Sequence, residues 1–246
     1  MFLHGITSHG GWYDQSAEFL AAAGFDVAFL DRRGSGLNGD QVADVDNWRT
    51  WIDDVAAFID PTLPTILCGI SWGGKLAAAI ARTYPGLLAG VALICPGIYS
   101  PYMPGPLKRL LLAAPAPARL QQRRVTIPLQ RPELFTDSPK WRDFIATDPL
   151  ALRKVTWRFA QEDRKLTRYA RDSATFLHLP TLLVLAGQDR IVDNPPTRDY
   201  FARIPSRHKM LIEYGNAAHT LEFERDPSRY FDDLTAWVDQ TVASQI

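Results

Sequence analysis

The sequence has few cysteines, no long hydrophobic run and no excess of charge of either sign. Only Cys68 and Cys95 occur among 246 residues, which argues against a disulfide framework and predicts free thiols packed as small apolar groups. No run of about 18 apolar residues could span a bilayer, and the N-terminus lacks the basic-then-apolar pattern of a signal peptide. We therefore expect a cytoplasmic protein.

Charge and ligand motifs exclude further classes. Lys plus Arg and Asp plus Glu both number 27, so the net charge is zero and nothing predicts a nucleic-acid partner. No His, Cys, Asp or Glu cluster has metal-ligand spacing and no G-x-G-x-x-G follows a strand, so we expect no metal, nucleotide or other cofactor. The charge is unevenly distributed. Residues 98–178 contain 15 Lys and Arg against 7 Asp and Glu, and the remainder 12 against 20.

One short motif carries most of the chemical information. Gly69-Ile70-Ser71-Trp72-Gly73 is a G-x-S-x-G run that follows the apolar stretch Thr65–Cys68 and precedes the alanine-rich stretch Lys75–Thr83. Glycine-flanked serines also form ordinary turns, but a strand before and a helix after favour a sharp turn that exposes the serine hydroxyl. Ser71 is the candidate nucleophile.

Strand-like runs alternate with helical patterns along the chain, which predicts an α/β fold built on a mostly parallel sheet. The runs are Phe2–His4, Asp26–Leu30, Thr65–Cys68, Leu87–Cys95, Thr181–Ala186 and Lys209–Glu213. We expect residues 1–97 and 179–246 to form the core. Residues 98–178, which are punctuated by prolines, are predicted to be an inserted helical cap with short helices at Leu107–Ala114, Trp141–Ile145, Pro149–Glu162 and Leu166–Leu177.

A serine nucleophile needs a histidine base, and the histidine needs a carboxylate that fixes its tautomer. Asp189 follows the strand-like run Thr181–Ala186, and His219 follows Lys209–Glu213. The order nucleophile, acid, histidine is that of the α/β-hydrolase fold, and each residue comes just after a predicted strand. Asp193, in the same loop as Asp189, is the alternative acid or a helix cap. Four other histidines are disfavoured because they do not follow the last strand: His4, His9, His178 and His208.

The remaining site predictions concern the oxyanion hole and substrate contacts. Backbone N–H groups of Trp72, next to the nucleophile, and Ile6, in the loop after the first strand, are the expected oxyanion donors. Candidate substrate contacts are His4, Ile70 and Leu111. His4 could instead orient the oxyanion loop, and the leucines near Leu111 could instead pack the cap on the core.

Together these motifs resemble the α/β-hydrolase superfamily, and most closely its branch of monoacylglycerol lipases, lysophospholipases and serine aminopeptidase-like proteins. The resemblance is carried by His4-Gly5 with Trp12-Tyr13, Asp31-Arg32-Arg33-Gly34-Ser35-Gly36, Gly69–Gly73, Asp148-Pro149-Leu150, Gly187-Gln188-Asp189 and His219. We interpret the arginine-rich turn as structural, with its arginines bonding carboxylates or loop carbonyls. Members of the branch begin with a β-hairpin that this sequence lacks, and lipase-like members often carry histidine where Ile70 stands.

The resemblance implies a serine hydrolase that cleaves a small-molecule ester or lipid through an acyl-enzyme. An amide or peptide hydrolase, a carbon–carbon hydrolase or perhydrolase, and a non-catalytic binding protein on the same fold remain open as alternatives. The basic residues of the cap form either a solvated face or a contact with an anionic lipid surface. They are Lys108, Arg109, Arg119, Arg123, Arg124 and Arg131.

Overall fold

Six parallel strands form the centre of the molecule. The computed structural model describes residues 1–39, 42–102 and 105–244. The sheet order is β2-β1-β3-β4-β7-β8, with every neighbouring pair parallel. The strands are β1 (Phe2–Leu3), β2 (Phe29–Leu30), β3 (Ile66–Ile70), β4 (Gly90–Ile94), β7 (Thr181–Ala186) and β8 (Lys209–Tyr214).

Helices follow the strands as the alternating pattern predicts. Strands β3, β4 and β7 are buried at every position, as expected for a parallel sheet covered by helices on both faces. The helices of the sheet region are α1 (Asp14–Ala22), α2 (Trp48–Ala56), α3 (Trp72–Thr83), α8 (Asn194–Ala202) and α9 (Ser228–Ala243). Every predicted strand of the sheet is present, with bounds that differ by a few residues.

The described part of the segment between β4 and β7 contains four α-helices and a small antiparallel ribbon. Its helices are α4 (Pro106–Ala113), α5 (Ala118–Gln121), α6 (Pro139–Thr147) and α7 (Trp157–Arg171), and its ribbon pairs β5 (Arg124–Thr126) with β6 (Lys154–Thr156). The separate helices predicted over Pro149–Glu162 and Leu166–Leu177 are wrong. β-branched Val155 and Thr156 pair with β5 instead of starting a helix, and a single α7 begins where Thr156 Oγ1 accepts from the N–H of Phe159 at 3.0 Å.

Helix α7 is fixed on the sheet region by aromatic and ionic contacts. The rings of Trp51, Trp72 and Phe159 pack against one another with centroids 4.8 to 6.4 Å apart. Arg158 and Thr156 both bond the carboxylate of Asp44. These contacts hold α7 above the carboxyl ends of the strands, the edge where open parallel sheets carry their sites. Within the described ranges, no helix is both long enough and apolar enough to cross a bilayer.

Candidate active site

Ser71 occupies a strained turn between β3 and α3. Its backbone has φ 54° and ψ −117°, a conformation that non-glycine residues rarely adopt. The turn leaves no room for a side chain at either glycine. A Cβ on Gly69 would lie 2.4 Å from the carbonyl oxygen of Gly73, and one on Gly73 would lie 2.2 Å from the carbonyl oxygen of Leu3. Only glycine fits at either position, and the Ser71 hydroxyl is thereby presented at the end of β3.

The structure brings Ser71, His219 and Asp189 together. His219 Nε2 lies 2.9 Å from Ser71 Oγ, and His219 Nδ1 lies 2.7 Å from Asp189 Oδ2. The His219 and Asp189 side chains are almost fully buried. Because Nδ1 faces a carboxylate, it carries a proton, which leaves Nε2 free to accept the proton of the serine hydroxyl.

Asp189 is held in place by its other oxygen and by a buried thiol. Oδ1 accepts the backbone N–H groups of Ile191 at 2.7 Å and Val192 at 2.8 Å, so Oδ2 is left for the histidine. The Cys95 thiol lies at the end of β4 beside this carboxylate, and burial, with Asp189 next, raises its pKa well above the usual value. Asp193, the alternative acid, lies at the start of α8 and makes no side-chain cap bond.

The cluster of Cys95, Asp189 and His219 has atoms spaced for a metal ligand set. One ligand atom from each lies within 4.8 Å of the other two, although their positions in sequence suggest no such cluster. Asp189 and His219 already bond each other at 2.7 Å, and burial raises the pKa of the Cys95 thiol well above its usual value. The cluster therefore suits a thiol beside a carboxylate–histidine pair better than a metal site.

The loop that carries His219 is bonded to the segment between β4 and β7. The N–H of Thr220 donates to the carbonyl of Phe135 at 2.9 Å, and the Phe135 ring meets the imidazole edge-on with centroids 6.0 Å apart. On the other side, the N–H of Ala218 donates to Glu224 Oε1 at 2.7 Å. The imidazole is thus restrained by neighbours from both segments.

Arg32 braces the loop that contains Ile6. The guanidinium donates to the carbonyl of Gly5 and to that of Ile6, each at 2.7 Å, and it stacks over the Trp72 ring at 4.6 Å. The Gly5 carbonyl and the Ile6 N–H belong to one trans peptide group and point in opposite directions. Fixing the carbonyl on Arg32 therefore fixes the direction of the Ile6 N–H. Burial lowers the pKa of Arg32 to about 9, so it remains a cation at neutral pH.

His4 lies behind this loop. Its Nδ1 is 2.8 Å from the Gly5 carbonyl, and its Nε2 accepts the N–H of Arg32 at 3.2 Å, a pattern that requires the Nδ1–H tautomer. Burial first, and Arg32 second, hold its pKa well below the usual value. His4 is therefore a neutral imidazole that bonds the Gly5 carbonyl and the Arg32 N–H, and it lines neither of the two cavities found beside Ser71.

A water-sized space lies between the loop that contains Ile6 and the side chains of Ser71 and His219. This cavity of ≈ 10 Å³ is lined by residues that include Gly5, Ile6, Ser71 and His219, and it matches the volume needed for about one water or one oxygen atom. Arg32, which bonds the carbonyls of Gly5 and Ile6, supports one wall without lining the cavity. The family motif alone did not distinguish Arg32 from its neighbour Arg33, which pairs with Asp54 near the surface.

A larger pocket of ≈ 440 Å³ opens beside Ser71. Ile6, Trp72 and Gly97 are among the residues that line it, and most of the other lining residues come from the segment between β4 and β7. Leu112 is part of the lining, whereas the predicted substrate contacts Ile70 and Leu111 are not. Ile70 is buried within β3, and 53% of Leu111 is exposed on the outside of α4.

Comparison with known proteins identifies the family. The sequence model of the serine aminopeptidase S33 family matches residues 1–226. The chain belongs to this family. Among curated S33-like relatives, the monoacylglycerol lipase of Mycolicibacterium smegmatis is 26% identical over 249 residues, covering 96% of this chain and 85% of that protein. A lysophospholipase of Escherichia coli is 28% identical, covering 88% and 72%.

Solved structures give the same fold. The crystal structure of the monoacylglycerol lipase of Paleococcus ferrophilus superposes with a TM-score of 0.88 and 22% identity, covering 98% of this chain and 93% of that one. The family match and these neighbours confirm the predicted α/β-hydrolase fold and the resemblance to the S33 and monoacylglycerol lipase branch. They also confirm the predicted class of enzyme, a hydrolase of ester bonds.

Proposed function

We propose that this S33-family hydrolase cleaves carboxylic esters of apolar acyl chains with Ser71 as nucleophile, His219 as base and Asp189 as the carboxylate that orients His219. The observation that carries this assignment is the continuous hydrogen-bonded line from Ser71 Oγ through both imidazole nitrogens to Asp189 Oδ2. The names of the curated relatives, monoacylglycerol lipase and lysophospholipase, support an ester or lipid as substrate.

The reaction follows from that arrangement. Ser71 Oγ attacks the ester carbonyl carbon while His219 Nε2 takes the hydroxyl proton, and the resulting imidazolium is stabilised by Asp189. The N–H groups of Ile6 and Trp72 stabilise the oxyanion. Collapse of the intermediate breaks the ester bond, and His219 returns its proton to the departing alcohol. Water then attacks the acyl-enzyme with the same base, which releases the acid and restores Ser71.

The first experiment compares wild type with Ser71→Ala on 4-nitrophenyl esters of increasing acyl length at matched folded concentration. We expect kcat to fall by about 10⁴-fold or more, because a triad without its nucleophile retains only oxyanion-hole and binding contributions. Ser138→Ala, in the cap segment, is the matched control and should keep wild-type activity. Equal rates for wild type and Ser71→Ala would overturn the nucleophile assignment, and 4-nitroanilides run in parallel separate esters from amides.

The cap is proposed to meet an anionic lipid surface during catalysis. Leu107, Leu110 and Leu111 lie at positions i, i+3 and i+4 of α4, so they share one helical face, and they are 72%, 68% and 53% exposed. An apolar face of this kind beside basic side chains is typical of helices that bind membrane surfaces. Exposed arginines nearby in the cap are Arg119, Arg123, Arg124 and Arg131; the side chains of Lys108 and Arg109 lie outside the described residues.

Vesicle sedimentation tests the lipid contact. Wild type should bind vesicles that contain phosphatidylglycerol more than vesicles of phosphatidylcholine alone, and replacing all three α4 leucines with Gln should abolish the difference. Leu63→Gln, which changes a leucine that is 58% exposed outside the cap, is the matched control. Equally weak binding by wild type, the triple variant and a variant with Arg119, Arg123 and Arg124 neutralised would rule the contact out.

A further inference from the structure

The pocket beside Ser71 has two unlike walls. Helix α7 presents one face to it, formed by residues spaced three and four apart as a single helical stripe requires: Ala160, Asp163, Arg164, Thr167, Arg168 and Arg171. The facing wall is apolar and includes Leu112, Ile127, Leu129 and Val155. A substrate that fills this pocket therefore meets hydrocarbon on one side and a row of charged groups on the other.

Two members of the polar stripe are already engaged with the helix that follows Ser71. Asp163 Oδ1 accepts from Trp72 Nε1 at 2.6 Å and from Lys75 Nζ at 2.5 Å. Thr167 Oγ1 accepts from the same Lys75 ammonium at 2.9 Å. These bonds tie α7 to α3 and engage the Asp163 carboxylate.

Arg164 and Arg168 have no such partners. Among the residues that the structure describes, neither side chain makes a hydrogen bond or ion pair, whereas the side chain of Arg158, on the same helix, bonds Asp44. Arg164 is half-buried, and both arginines line the pocket. The described lining contains four cations and two carboxylates, Lys75, Arg164, Arg168 and Arg171 against Asp163 and Asp172. Since Asp163 is committed to Lys75, the arginine end of the pocket is cationic.

We propose that Arg164 and Arg168 form a subsite for an anionic group of the substrate, a carboxylate or a phosphate, carried away from the scissile carbonyl. Guanidinium groups bind both oxyanions through paired N–H donors. The substrate class is thus an amphiphilic ester whose apolar part lies on the facing wall and whose anion lies on α7. This inference rests on the proposed function, because it takes Ser71 as the reacting end of the pocket.

The test compares anionic and neutral esters that are otherwise matched. One pair is 4-nitrophenyl octanoate and the mono-4-nitrophenyl ester of octanedioic acid, which places a carboxylate at the end of the acyl chain. The other is a 1-acylglycerol and its 3-phosphate with the same acyl group, which places the anion on the alcohol. If wild type hydrolyses the anionic member of one pair faster than its neutral member, that pair shows whether the anion is carried on the acyl chain or on the alcohol.

The variants are Arg164→Gln, Arg168→Gln and the double change, with Arg119→Gln as a cap control of equal charge change that does not line the pocket. We expect each pocket variant to lower kcat/KM for the anionic ester by about ten-fold, mainly through KM, and to leave the neutral ester within about two-fold. Arg164→Lys should recover part of the loss, and added salt should reduce the wild-type preference.

Binding separates this inference from the hydrolase assignment. Calorimetry with octyl phosphate and with octanedioate on Ser71→Ala needs no turnover. Binding that depends on the two arginines would support the subsite even if no ester were hydrolysed. Absence of ester hydrolysis would then refute only the proposed function. The opposite outcome has two parts: Ser71 hydrolyses esters with the same preference in the arginine variants as in wild type, and octyl phosphate and octanedioate bind the variants as tightly as wild type. That result would overturn the subsite and leave the proposed hydrolase function standing.

Discussion

Replacing Arg32 with lysine tests how the loop that contains Ile6, the proposed oxyanion donor, is held. Arg32 donates to the carbonyls of Gly5 and Ile6 at 2.7 Å each and stacks on Trp72. Lysine keeps the charge but has a shorter reach and a single ammonium, so it cannot serve both carbonyls in the geometry of a planar fork. The peptide that carries the Ile6 N–H then loses its brace.

The expected losses of activity and stability follow from the hydrogen bonds that Arg32→Lys changes. Removing one oxyanion donor outright costs about 10²–10³-fold in kcat. A donor that is still present but free to rotate should lose a fraction of that, so we expect kcat to fall about 10- to 100-fold with KM little changed. A hydrogen bond to a charged group contributes roughly 1.5–3 kcal/mol. Since one of the two is lost and the buried cation persists, the free energy of unfolding should fall by about 2 kcal/mol.

The assay measures kcat and KM on a 4-nitrophenyl ester, with urea unfolding of the same samples to confirm that the variant is folded. Arg33→Lys is the matched control, because Arg33 is the adjacent residue and its guanidinium meets the half-exposed Asp54. It should stay within about two-fold of wild type. The reasoning is refuted if Arg32→Lys keeps the wild-type kcat, or if both variants lose the same factor.

Three further predictions concern stability. Burial raises the pKa of Glu222 to about 7 from its usual 4.5. Folding then favours the protonated form, so the free energy of unfolding falls as pH rises from about 4.5 to 7. In urea unfolding, the stability of Glu222→Gln relative to wild type should therefore be about 3 kcal/mol higher at pH 8 than at pH 4. Parallel pH profiles would contradict this. Gly73→Ala should lower the free energy of unfolding by about 3 kcal/mol or more, because the added Cβ would clash with β1. The control is Gly86→Ala, where no atom lies within 4 Å of the added Cβ. Equal melting temperatures for the two variants would refute the argument. Asp163→Asn should lose about 3 kcal/mol by leaving Lys75 buried and unpaired, and the double variant with Lys75→Met should recover much of that; a double variant as unstable as the single one would contradict the argument.

The features predicted best from the sequence are those set by local rules. A G-x-S-x-G run between a strand and a helix fixes its own backbone, so the placement of Ser71 needs no distant residue. Asp189 and His219 follow strand ends, and parallel strands deliver such residues to one edge of the sheet. That edge is where the structure brings the three side chains together. Their catalytic roles stay predictions until Ser71→Ala is measured.

The features that were missed depend on contacts between distant segments. The helix predicted over Pro149–Glu162 failed because Val155 and Thr156 pair with a strand about 30 residues earlier. Adjacent arginines were indistinguishable for a similar reason. Arg32, not Arg33, bonds the loop that contains Ile6, and this is decided by that loop and by Trp72, which lie elsewhere in the chain.

On α7, a residue that holds the fold together differs from residues that only line the pocket. Asp163 both fixes α7 to α3 and faces the pocket, so a change there would alter stability, pocket shape and charge at once. Arg164 and Arg168 stand on the same helical face but hold no other described residue. Changing them should therefore leave the fold intact and alter only the electrostatic environment of the substrate. This makes the two arginines the informative positions for deciding which esters the pocket accepts.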